Sequence, residues 1–317
     1  FFWCKQFNNK MLDSKTMDSN DVVAVYILTH NRPETVMRAL HSVQKQTFSK
    51  IKIIVSDNSD DDRTANLVLP ILKEDSRVEY VHRMEPSCKT GIGHLNYILR
   101  CNPYDYFIMF HDDDEMLPNM VQILYESMKA DSSIVAVGCN ACLNIYGRLT
   151  TKKINNIKKV TKITDPITLI KMYVGREIAP FPGYLYNRVL VNKSLGLVTS
   201  HGGKYSDSSF IVDLTKLGKV VMLPKCGMIY YVTDVQDSYS HKFQQYDSLL
   251  NYWRNSYNCK EILKNARVYN IYNNLKDLQL KSGKIPFRKS AFYIFLHYSA
   301  FNYFLKYLLR LLKIKTN

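Results

Sequence analysis

Three adjacent aspartates, Asp112, Asp113 and Asp114, follow the apolar run at residues 106–110 and one histidine. Neighbouring carboxylates repel one another, and a divalent cation relieves that repulsion. Hard oxygen ligands suit Mg²⁺ or Mn²⁺, ions that keep several waters and bridge to substrate phosphates. A solvated acidic turn is the simpler interpretation. The position at the end of an apolar run favours a metal site, because open α/β sheets bind ligands at the carboxyl ends of their strands.

Polar residues close two further apolar runs. Asp57 ends the second run, where its carboxylate could accept a hydrogen bond from a base N–H or a ribose hydroxyl, or could form an Asx turn. Thr29 and Asn31 close the first run and either line a nucleotide pocket or cap the helix that follows. A nucleotide site at these three positions is supported only if the apolar runs form neighbouring strands.

The elements that must position these residues alternate between strand and helix. Apolar runs at residues 22–28, 51–55 and 106–110 are typical of buried parallel strands, and helical spacing follows each of them. Such alternation predicts a parallel sheet with right-handed crossovers. Beyond about residue 130 the helices become fewer, which predicts a mixed sheet that continues the first. The predicted fold class is α/β: a Rossmann-like, mixed, largely parallel sheet flanked by helices.

Composition excludes several classes of protein. Of 317 residues, 46% are hydrophobic and 22% charged, values that argue against a disordered, collagenous or multi-span membrane chain. Seven dispersed cysteines favour a reducing, cytosolic compartment over a disulfide scaffold. The net charge of +15 is concentrated after residue 240, where 14 Lys/Arg face three acids. That asymmetry predicts contact of one end with an anionic surface and argues against a nucleic-acid groove.

Several segments, in order along the chain, together resemble the family 2 glycosyltransferases, which have the GT-A fold. They correspond to the family's opening strand and helix, its nucleotide-binding turn, its Gly-rich segment and its DxD segment: residues 27–32 with 42–47, 53–59, 91–96 and 110–118. The resemblance covers about residues 21–240. It implies a nucleotide-sugar-dependent, inverting enzyme.

The resemblance also implies which residues contact the donor and the metal. Donor or nucleotide contacts fall on Thr29, Asn31, Arg32, Asp57, Gly91, Asn96, Asp112 and Asp113. Asp57 matches the aspartate that contacts the uracil in the family. Asp112 and Asp114 are expected to hold Mn²⁺ or Mg²⁺.

The family's catalytic base is the aspartate of a Glu-Asp pair that opens a helix. Here Ser206-Asp207 stands eleven residues before Gly218, so Asp207 matches the base while Ser206 replaces the glutamate. On the acceptor side we expect Gly183, Tyr184 and His201.

Three further positions depart from the family pattern. Leu28 stands where proline is common, His111 precedes the aspartates, and Asp234 stands where a histidine often follows the last strand. The last change leaves a third metal ligand open, with His241 as a substitute candidate.

The function that the resemblance implies is a metal-dependent transfer of a hexosyl or N-acetylhexosaminyl group. The donor is expected to be a UDP-sugar and the acceptor a hydroxyl of a glycan or lipid-linked acceptor, in the biosynthesis of a polysaccharide such as a capsule. One alternative is a nucleotidyltransferase of similar fold, although a Gly-rich phosphate loop with Lys or Arg is missing after the first strand. The other is a non-catalytic nucleic-acid-binding protein, against which the absence of base-stacking motifs counts.

We predict three regions: a polar lead-in at 1–20, a catalytic domain at 21–240, and a basic helical extension at 241–317. The catalytic domain divides into a nucleotide-binding half, 21–118, and an acceptor half, 119–240.

Near residues 287–315 the polar stripe of one amphipathic helix is formed by Ser299, Asn302, Lys306, Arg310 and Lys313. A basic edge beside aromatic and leucine residues predicts a helix in the interface of an anionic membrane, hence a cytoplasmic, peripheral protein on the inner face of the cell membrane. Packing on the body or on a partner chain is the alternative.

Overall fold

The computed structural model describes residues 21–233, 242–260, 262–264, 266–271 and 305. The predicted lead-in, Asp234, His241 and nearly all of the predicted amphipathic helix lie outside these residues.

Ten strands form a single sheet in the described part of the chain. They are β1 (Val23–Thr29), β2 (Ile51–Asp57), β3 (Val78–His82), β4 (Tyr106–His111), β5 (Glu115–Met116), β6 (Ile134–Ile145), β7 (Arg148–Lys153), β8 (Thr161–Ile163), β9 (Tyr184–Asn187) and β10 (Lys219–Val232). Their order is β3-β2-β1-β4-β9-β6-β10-β5, with β7 beside β6 and β8 beside β10.

Helices accompany the sheet, and eight of them have defined bounds. They are α1 (Pro33–Gln44), α2 (Arg63–Val68), α3 (Gly91–Cys101), α4 (Met120–Lys129), α5 (Pro166–Val174), α6 (Arg188–Val191), α7 (Ser206–Leu214) and α8 (Phe243–Tyr257). None of these helices has the length and apolarity that crossing a bilayer requires.

Strand β1 lies at the centre of the parallel half, with β2 on one side and β4 on the other. In register, Thr29 lies opposite Asp57, and Leu28 lies opposite His111. The carboxyl ends of these strands therefore meet at one edge, as the alternation of strands and helices predicted.

The second half of the chain extends the same sheet with mixed polarity. Strand β9 is antiparallel to both β4 and β6, whereas β6 and β10 run parallel over most of their length. The prediction of a mixed, largely parallel sheet flanked by helices is confirmed.

Alternating residues of the strands feed two hydrophobic clusters, one on each face of the sheet. In β1, Val25 and Ile27 face the cluster that contains α1 and α4, while Ala24 and Tyr26 face the cluster of α3, α5, α7 and α8. Burial on both faces explains why these strands read as continuous apolar runs.

Asn31 does not cap the first helix, contrary to one of the two sequence interpretations. Helix α1 begins at Pro33 after Arg32, whose side chain makes no capping hydrogen bond. Asn31 instead has a left-handed backbone, with φ of 55°. Its amide donates to Asp60 Oδ2 at 2.8 Å, and its Oδ1 accepts from the Asp60 backbone N–H at 3.0 Å. Asn31 thus fastens the turn after β1 to the turn after β2.

Candidate active site

Asp112 lies immediately after β4 and is almost fully buried. Its Oδ2 accepts a hydrogen bond of 2.7 Å from the Thr29 hydroxyl, and its Oδ1 accepts one of 3.2 Å from Arg32 Nη1. Burial raises the pKa of Asp112 to about 6, while the Thr29 hydroxyl and the Arg32 charge oppose that rise. Both predicted neighbours of the acidic segment, Thr29 and Arg32, therefore contact it directly.

Asp114 has a buried carboxylate of which only one oxygen accepts a hydrogen bond from the described residues. Oδ1 accepts a 3.1 Å hydrogen bond from the backbone N–H of Tyr231, whereas Oδ2 is buried without a hydrogen-bond partner. Burial, reinforced by the Asp113 charge, raises the pKa of Asp114 well above its usual range. An unpartnered buried carboxylate oxygen costs free energy unless a cation or a donor reaches it.

Asp114 also belongs to a potential metal-ligand group. His111, Asp113 and Asp114 place ligand atoms within 4.8 Å of one another. Burial lowers the pKa of His111, which favours the neutral imidazole that a metal requires. The residues present fit a divalent cation, because an imidazole nitrogen and two carboxylates converge where a buried oxygen has no partner.

This group differs from the predicted metal pair of Asp112 and Asp114. Asp114 belongs to it, but the oxygens of Asp112 accept from Thr29 and Arg32 instead. His111, which the sequence analysis treated only as a departure from the family pattern, lies within it. The signal was a coordinating side chain directly before three acids.

Two arginines of the α1 region flank the acidic segment. Arg38 Nη2 donates to the backbone oxygen of Asp113 at 2.6 Å, and its guanidinium carbon lies 3.8 Å from the centre of the Tyr231 ring. Its Nε is buried without a partner. Sequence reasoning singled out Arg32 and missed Arg38, since one arginine in an amphipathic helix carries no distinguishing pattern.

Asp57 is fully buried at the end of β2. Its Oδ1 accepts from the Ser59 backbone N–H and its Oδ2 from the Tyr80 hydroxyl, both at 2.8 Å. The Asx-turn alternative is therefore present in the structure, and a contact of Asp57 with a base stays a prediction. Sequence analysis did not identify Arg83, whose backbone N–H donates a hydrogen bond of 2.6 Å to the backbone oxygen of Asp57.

The two predicted donor residues of the Gly-rich segment lie in different environments. Gly91 is exposed at the first position of α3. Asn96 is engaged elsewhere: its amide donates to the Leu197 oxygen and its Oδ1 accepts from the Leu197 N–H, each at 2.8 Å. Gly196 makes this approach possible, because a Cβ there would lie 2.4 Å from Asn96 Oδ1 at a φ of +74°. A donor contact by Asn96 stays a prediction, in competition with this role as a loop clamp.

Asp207 lies in the first turn of α7. Its Oδ1 accepts from the backbone N–H of Ser208 at 2.6 Å and from the Ser208 hydroxyl at 3.2 Å, and no described residue donates to Oδ2. Burial raises the pKa of Asp207 to about 6, and the hydrogen bonds from Ser208 oppose that rise. A carboxylate with a spare oxygen and a raised pKa suits general-base chemistry near neutral pH.

The helix of Asp207 packs against β9, since the Phe210 ring of α7 lies 5.9 Å from the Tyr186 ring of β9. Burial, with a smaller contribution from the Asp207 charge, raises the pKa of Tyr184 on β9, the strand next to β4. Just before β9, the Phe181 ring lies 6.0 Å from the His111 ring. Helix α7 and the acidic segment thus both have neighbours in the β9 region, and the meeting of Asp207 with the acids in one cleft stays a prediction.

Tyr184, which was predicted on the acceptor side, is a core residue: it is 1% exposed, and its hydroxyl donates to Met222 Sδ at 3.4 Å. Gly183 is also buried, and a Cβ there would lie 3.0 Å from the Cys139 oxygen. His201 stacks on Tyr252, with ring centres 3.7 Å apart. An acceptor-side role for these three residues stays a prediction.

The part of the chain that carries these acids and arginines matches a known protein family. Residues 24–187 match the family model for glycosyl transferase family 2. Because the match covers more than half of the chain, this chain belongs to glycosyltransferase family 2, as its motifs suggested.

Relatives in this family are distant. A GalNAc(5)-diNAcBac-PP-undecaprenol beta-1,3-glucosyltransferase of Campylobacter jejuni is 25% identical over 194 residues, which are 60% of this chain and 62% of that protein. The glycosyltransferase GlyG of Streptococcus pneumoniae is 22% identical over 120 residues, 38% of this chain and 39% of its own. The matched part spans less than two thirds of the length of either relative.

Solved structures share the fold. The mannosyltransferase PcManGT from Pyrobaculum calidifontis, in complex with GDP-Man and Mn²⁺, superposes with a TM-score of 0.57 at 14% identity, covering 98% of this chain and 94% of that one. Residues 1–349 of Staphylococcus aureus TarS in complex with UDP give a TM-score of 0.54 at 12% identity, covering 92% and 90%. At such identities the likeness shows the GT-A fold alone.

Proposed function

We propose that this protein is a metal-dependent, inverting glycosyltransferase that moves a hexosyl or N-acetylhexosaminyl group from a UDP-sugar to a hydroxyl of a glycan or lipid-linked acceptor. Its role would be in polysaccharide biosynthesis, such as that of a capsule. The observation that carries the proposal is the buried, unpartnered Asp114 oxygen beside His111 and Asp113 in a family 2 chain. Family membership favours glycosyl transfer over nucleotidyl transfer and nucleic-acid binding.

His111, Asp113 and Asp114 would hold Mn²⁺ or Mg²⁺, and Asp112 would order Thr29 and Arg32 beside it. When bound, the ion supplies positive charge that stabilises the departing diphosphate. PcManGT, of the same fold, is known in complex with Mn²⁺, which supports a divalent ion here.

The donor would lie along the carboxyl edge of β1, β2 and β4. Arg32 and Arg38 add positive charge beside the acids, and such guanidinium groups suit a diphosphate. Thr29, Asn31, Asp57, Gly91 and Asn96 complete the proposed donor contacts. The uridine nucleotide is proposed because TarS, of the same fold, has been solved with UDP and with UDP-GlcNAc.

Asp207 would act as the general base. Its free Oδ2 takes the proton of the acceptor hydroxyl while that oxygen forms a bond to the anomeric carbon. The bond from this carbon to the diphosphate oxygen breaks with its electron pair, so UDP leaves. One displacement from the opposite side inverts the anomeric configuration.

The acceptor and the location are also proposals. The name of the C. jejuni relative describes an undecaprenol-linked acceptor, which supports a lipid-linked acceptor for this chain. We propose a cytoplasmic protein, peripheral on the inner face of the cell membrane, whose basic C-terminal segment contacts anionic lipid.

The test is a donor screen on the full chain. Each of UDP-glucose, UDP-GlcNAc, UDP-galactose and GDP-mannose is incubated with Mn²⁺, and released nucleotide is measured. We expect UDP from one UDP-sugar, lost with EDTA and restored by excess Mn²⁺. Nucleotide release that ignores EDTA, or pyrophosphate release from a nucleoside triphosphate and a sugar phosphate, would contradict the proposal.

A further inference from the structure

Helix α8 belongs to the predicted C-terminal extension, yet it packs on the catalytic body. Leu249, Leu250 and Trp253 of this helix are fully buried. The Trp253 ring lies edge-on to the Tyr173 ring of α5, with ring centres 5.0 Å apart. Helix α8 therefore shares the hydrophobic core of the body.

The loop at residues 202–205 leads directly into α7, and we call it the α7 entry loop. Helix α7 begins at Ser206, and its second residue is Asp207, the candidate general base. Because the loop and the helix are continuous, the position of the loop sets the position of the first turn of α7. Whatever holds the α7 entry loop therefore also holds Asp207.

One side chain of α8 bonds to the backbone of the α7 entry loop. The backbone N–H of Lys204 donates to Gln245 Oε1 at 3.0 Å. Gly203 has a φ of +57°, and a Cβ there would lie 2.5 Å from Gln245 Cδ. Gly202 has a φ of +136°, and a Cβ there would lie 3.1 Å from the Cβ of Leu249. Since glycine adopts such angles without strain and has no Cβ, the loop backbone can lie directly against α8.

A second pair of contacts joins α8 to the end of the loop. The backbone N–H of Lys242 donates to the Tyr205 hydroxyl at 3.2 Å. The Tyr205 ring packs edge-on against the Tyr246 ring, with ring centres 5.1 Å apart. Packing of the core accounts for this aromatic contact. It does not account for Gln245, an exposed residue that bonds to the loop backbone.

We propose that Gln245 is a positioning residue for glycosyl transfer. Its hydrogen bond to the backbone of Lys204 holds the α7 entry loop, and thereby Asp207, in the geometry in which Asp207 takes the proton of the acceptor. The inference rests on the proposed role of Asp207 as general base. It extends that role to a helix outside residues 24–187, the part of the chain that matches the family model.

The first test compares three variants of the full chain, at a temperature where urea titration shows each of them to be folded. Release of UDP from the UDP-sugar that the parent hydrolyses with Mn²⁺ gives kcat, with water as the acceptor, and calorimetry gives the Kd for UDP. Gln245→Ala should lower kcat about 10- to 100-fold, because a reacting group displaced by about 1 Å loses up to about 10²-fold in rate. The Kd for UDP should stay unchanged.

The other two variants separate the hydrogen bond from the side chain as such. Gln245→Glu keeps an oxygen that can accept from the Lys204 N–H, so it should keep the kcat of the parent. Gln244→Ala removes the same kind of side chain from the neighbouring exposed position of α8 and should also keep it. A loss that Gln244→Ala shares, or that Gln245→Glu does not restore, would overturn the inference.

The second test does not depend on activity. Hydrogen exchange of the backbone amides at residues 203–208 should be faster in Gln245→Ala than in the parent, and unchanged in Gln244→Ala. Exchange that is unchanged in Gln245→Ala would show that this bond does not hold the loop, and the inference would be wrong whatever the reaction.

Asp207→Asn distinguishes failure of this inference from failure of the proposed function. If Asp207→Asn lowers UDP release while Gln245→Ala leaves it unchanged, the base assignment stands and the role of Gln245 is wrong. If Asp207→Asn releases UDP as fast as the parent, the base assignment is wrong and the inference falls with it. Loss of release in both variants, with restoration by Gln245→Glu, is the result that we expect.

Discussion

The hydroxyl of Thr29 donates a 2.7 Å hydrogen bond to Asp112 across 83 residues of sequence. Thr29 ends β1 and Asp112 directly follows β4, and the register of these neighbouring parallel strands places their carboxyl ends together. This single bond therefore reports whether the strand edge that carries the acids is correctly assembled.

Replacing Thr29 with valine keeps the shape of the side chain and removes the donor. Because Asp112 is buried, the loss should lower the free energy of unfolding by about 2 kcal/mol in urea titrations near neutral pH. Thr29→Ser keeps the hydroxyl and should lose much less. A valine variant as stable as the parent would mean that Asp112 does not depend on this bond.

Replacing Asp207 with asparagine should lower kcat by about 10²–10⁴ while leaving the Kd for the UDP-sugar unchanged, because only the proposed proton acceptor is lost. Single-turnover transfer and calorimetric titration would measure the two quantities. Asp213→Asn, near the other end of α7, is the matched control and should keep transfer. Loss of donor binding in Asp207→Asn would remove Asp207 from the role of base.

The pH dependence should follow the same carboxyl group. With the pKa of Asp207 at about 6, the base is protonated in acid, so kcat/KM should rise through pH 6 and then level off. The Ser208 hydroxyl lowers the pKa of Asp207, so Ser208→Ala should move this rise to higher pH. An acid limb that does not respond to Ser208→Ala would belong to another group.

The same pKa has a consequence for stability. The folded state holds the pKa of Asp207 above its ordinary value, so between about pH 4 and pH 6 the native state binds more protons than the unfolded chain. Stability linked to Asp207 should therefore fall as pH rises through that interval. Above pH 6, Asp207→Asn should unfold at higher urea concentration than the parent, and a lower midpoint would contradict this sign.

Metal binding should stabilise the folded chain through Asp114. Mn²⁺ should raise the Tm of the parent, because a ligand that binds only the native state stabilises it, and Asp114→Asn should abolish most of that rise. The control is Glu115→Gln, an adjacent acid whose carboxylate accepts from the Tyr231 hydroxyl at 3.0 Å. It should keep the full Mn²⁺ effect. If both variants respond as the parent does, the ion binds elsewhere.

Asn96→Ala tests whether this residue binds the donor or clamps a loop. Both side-chain hydrogen bonds to Leu197 disappear, so we expect a loss of about 2 kcal/mol in the free energy of unfolding. Because Asn96 is also a proposed donor contact, the Kd for UDP should rise as well. A loss of stability with an unchanged Kd would mean that Asn96 only holds the loop.

Motif order along the chain was enough to predict the family, the sheet and the edge on which the acids lie. The reason is local: apolar runs define buried strands, and polar residues that end parallel strands must share one edge. The burial of Tyr184 could not be predicted, because local sequence does not say which face of a strand is covered. Asn31 was open to two interpretations, and the tertiary structure excludes the helix cap, because Asn31 bonds to Asp60, 29 residues away. A nucleotide contact by Asn31 stays a prediction.

The sequence by itself determined that Asp112, Asp113 and Asp114 follow a buried strand beside the ends of β1 and β2. Only the tertiary structure decided which partners those carboxylates have. Asp112 accepts hydrogen bonds from Thr29 and Arg32. Asp114 accepts one from Tyr231, has a second oxygen without a partner, and shares a potential metal-ligand group with His111. The tertiary structure also showed that Arg38 joins the acids and that Asn96 holds Leu197. Hydrogen-bond partners far apart in sequence depend on side-chain direction and packing distance, and neither is written in the spacing of residues along one strand.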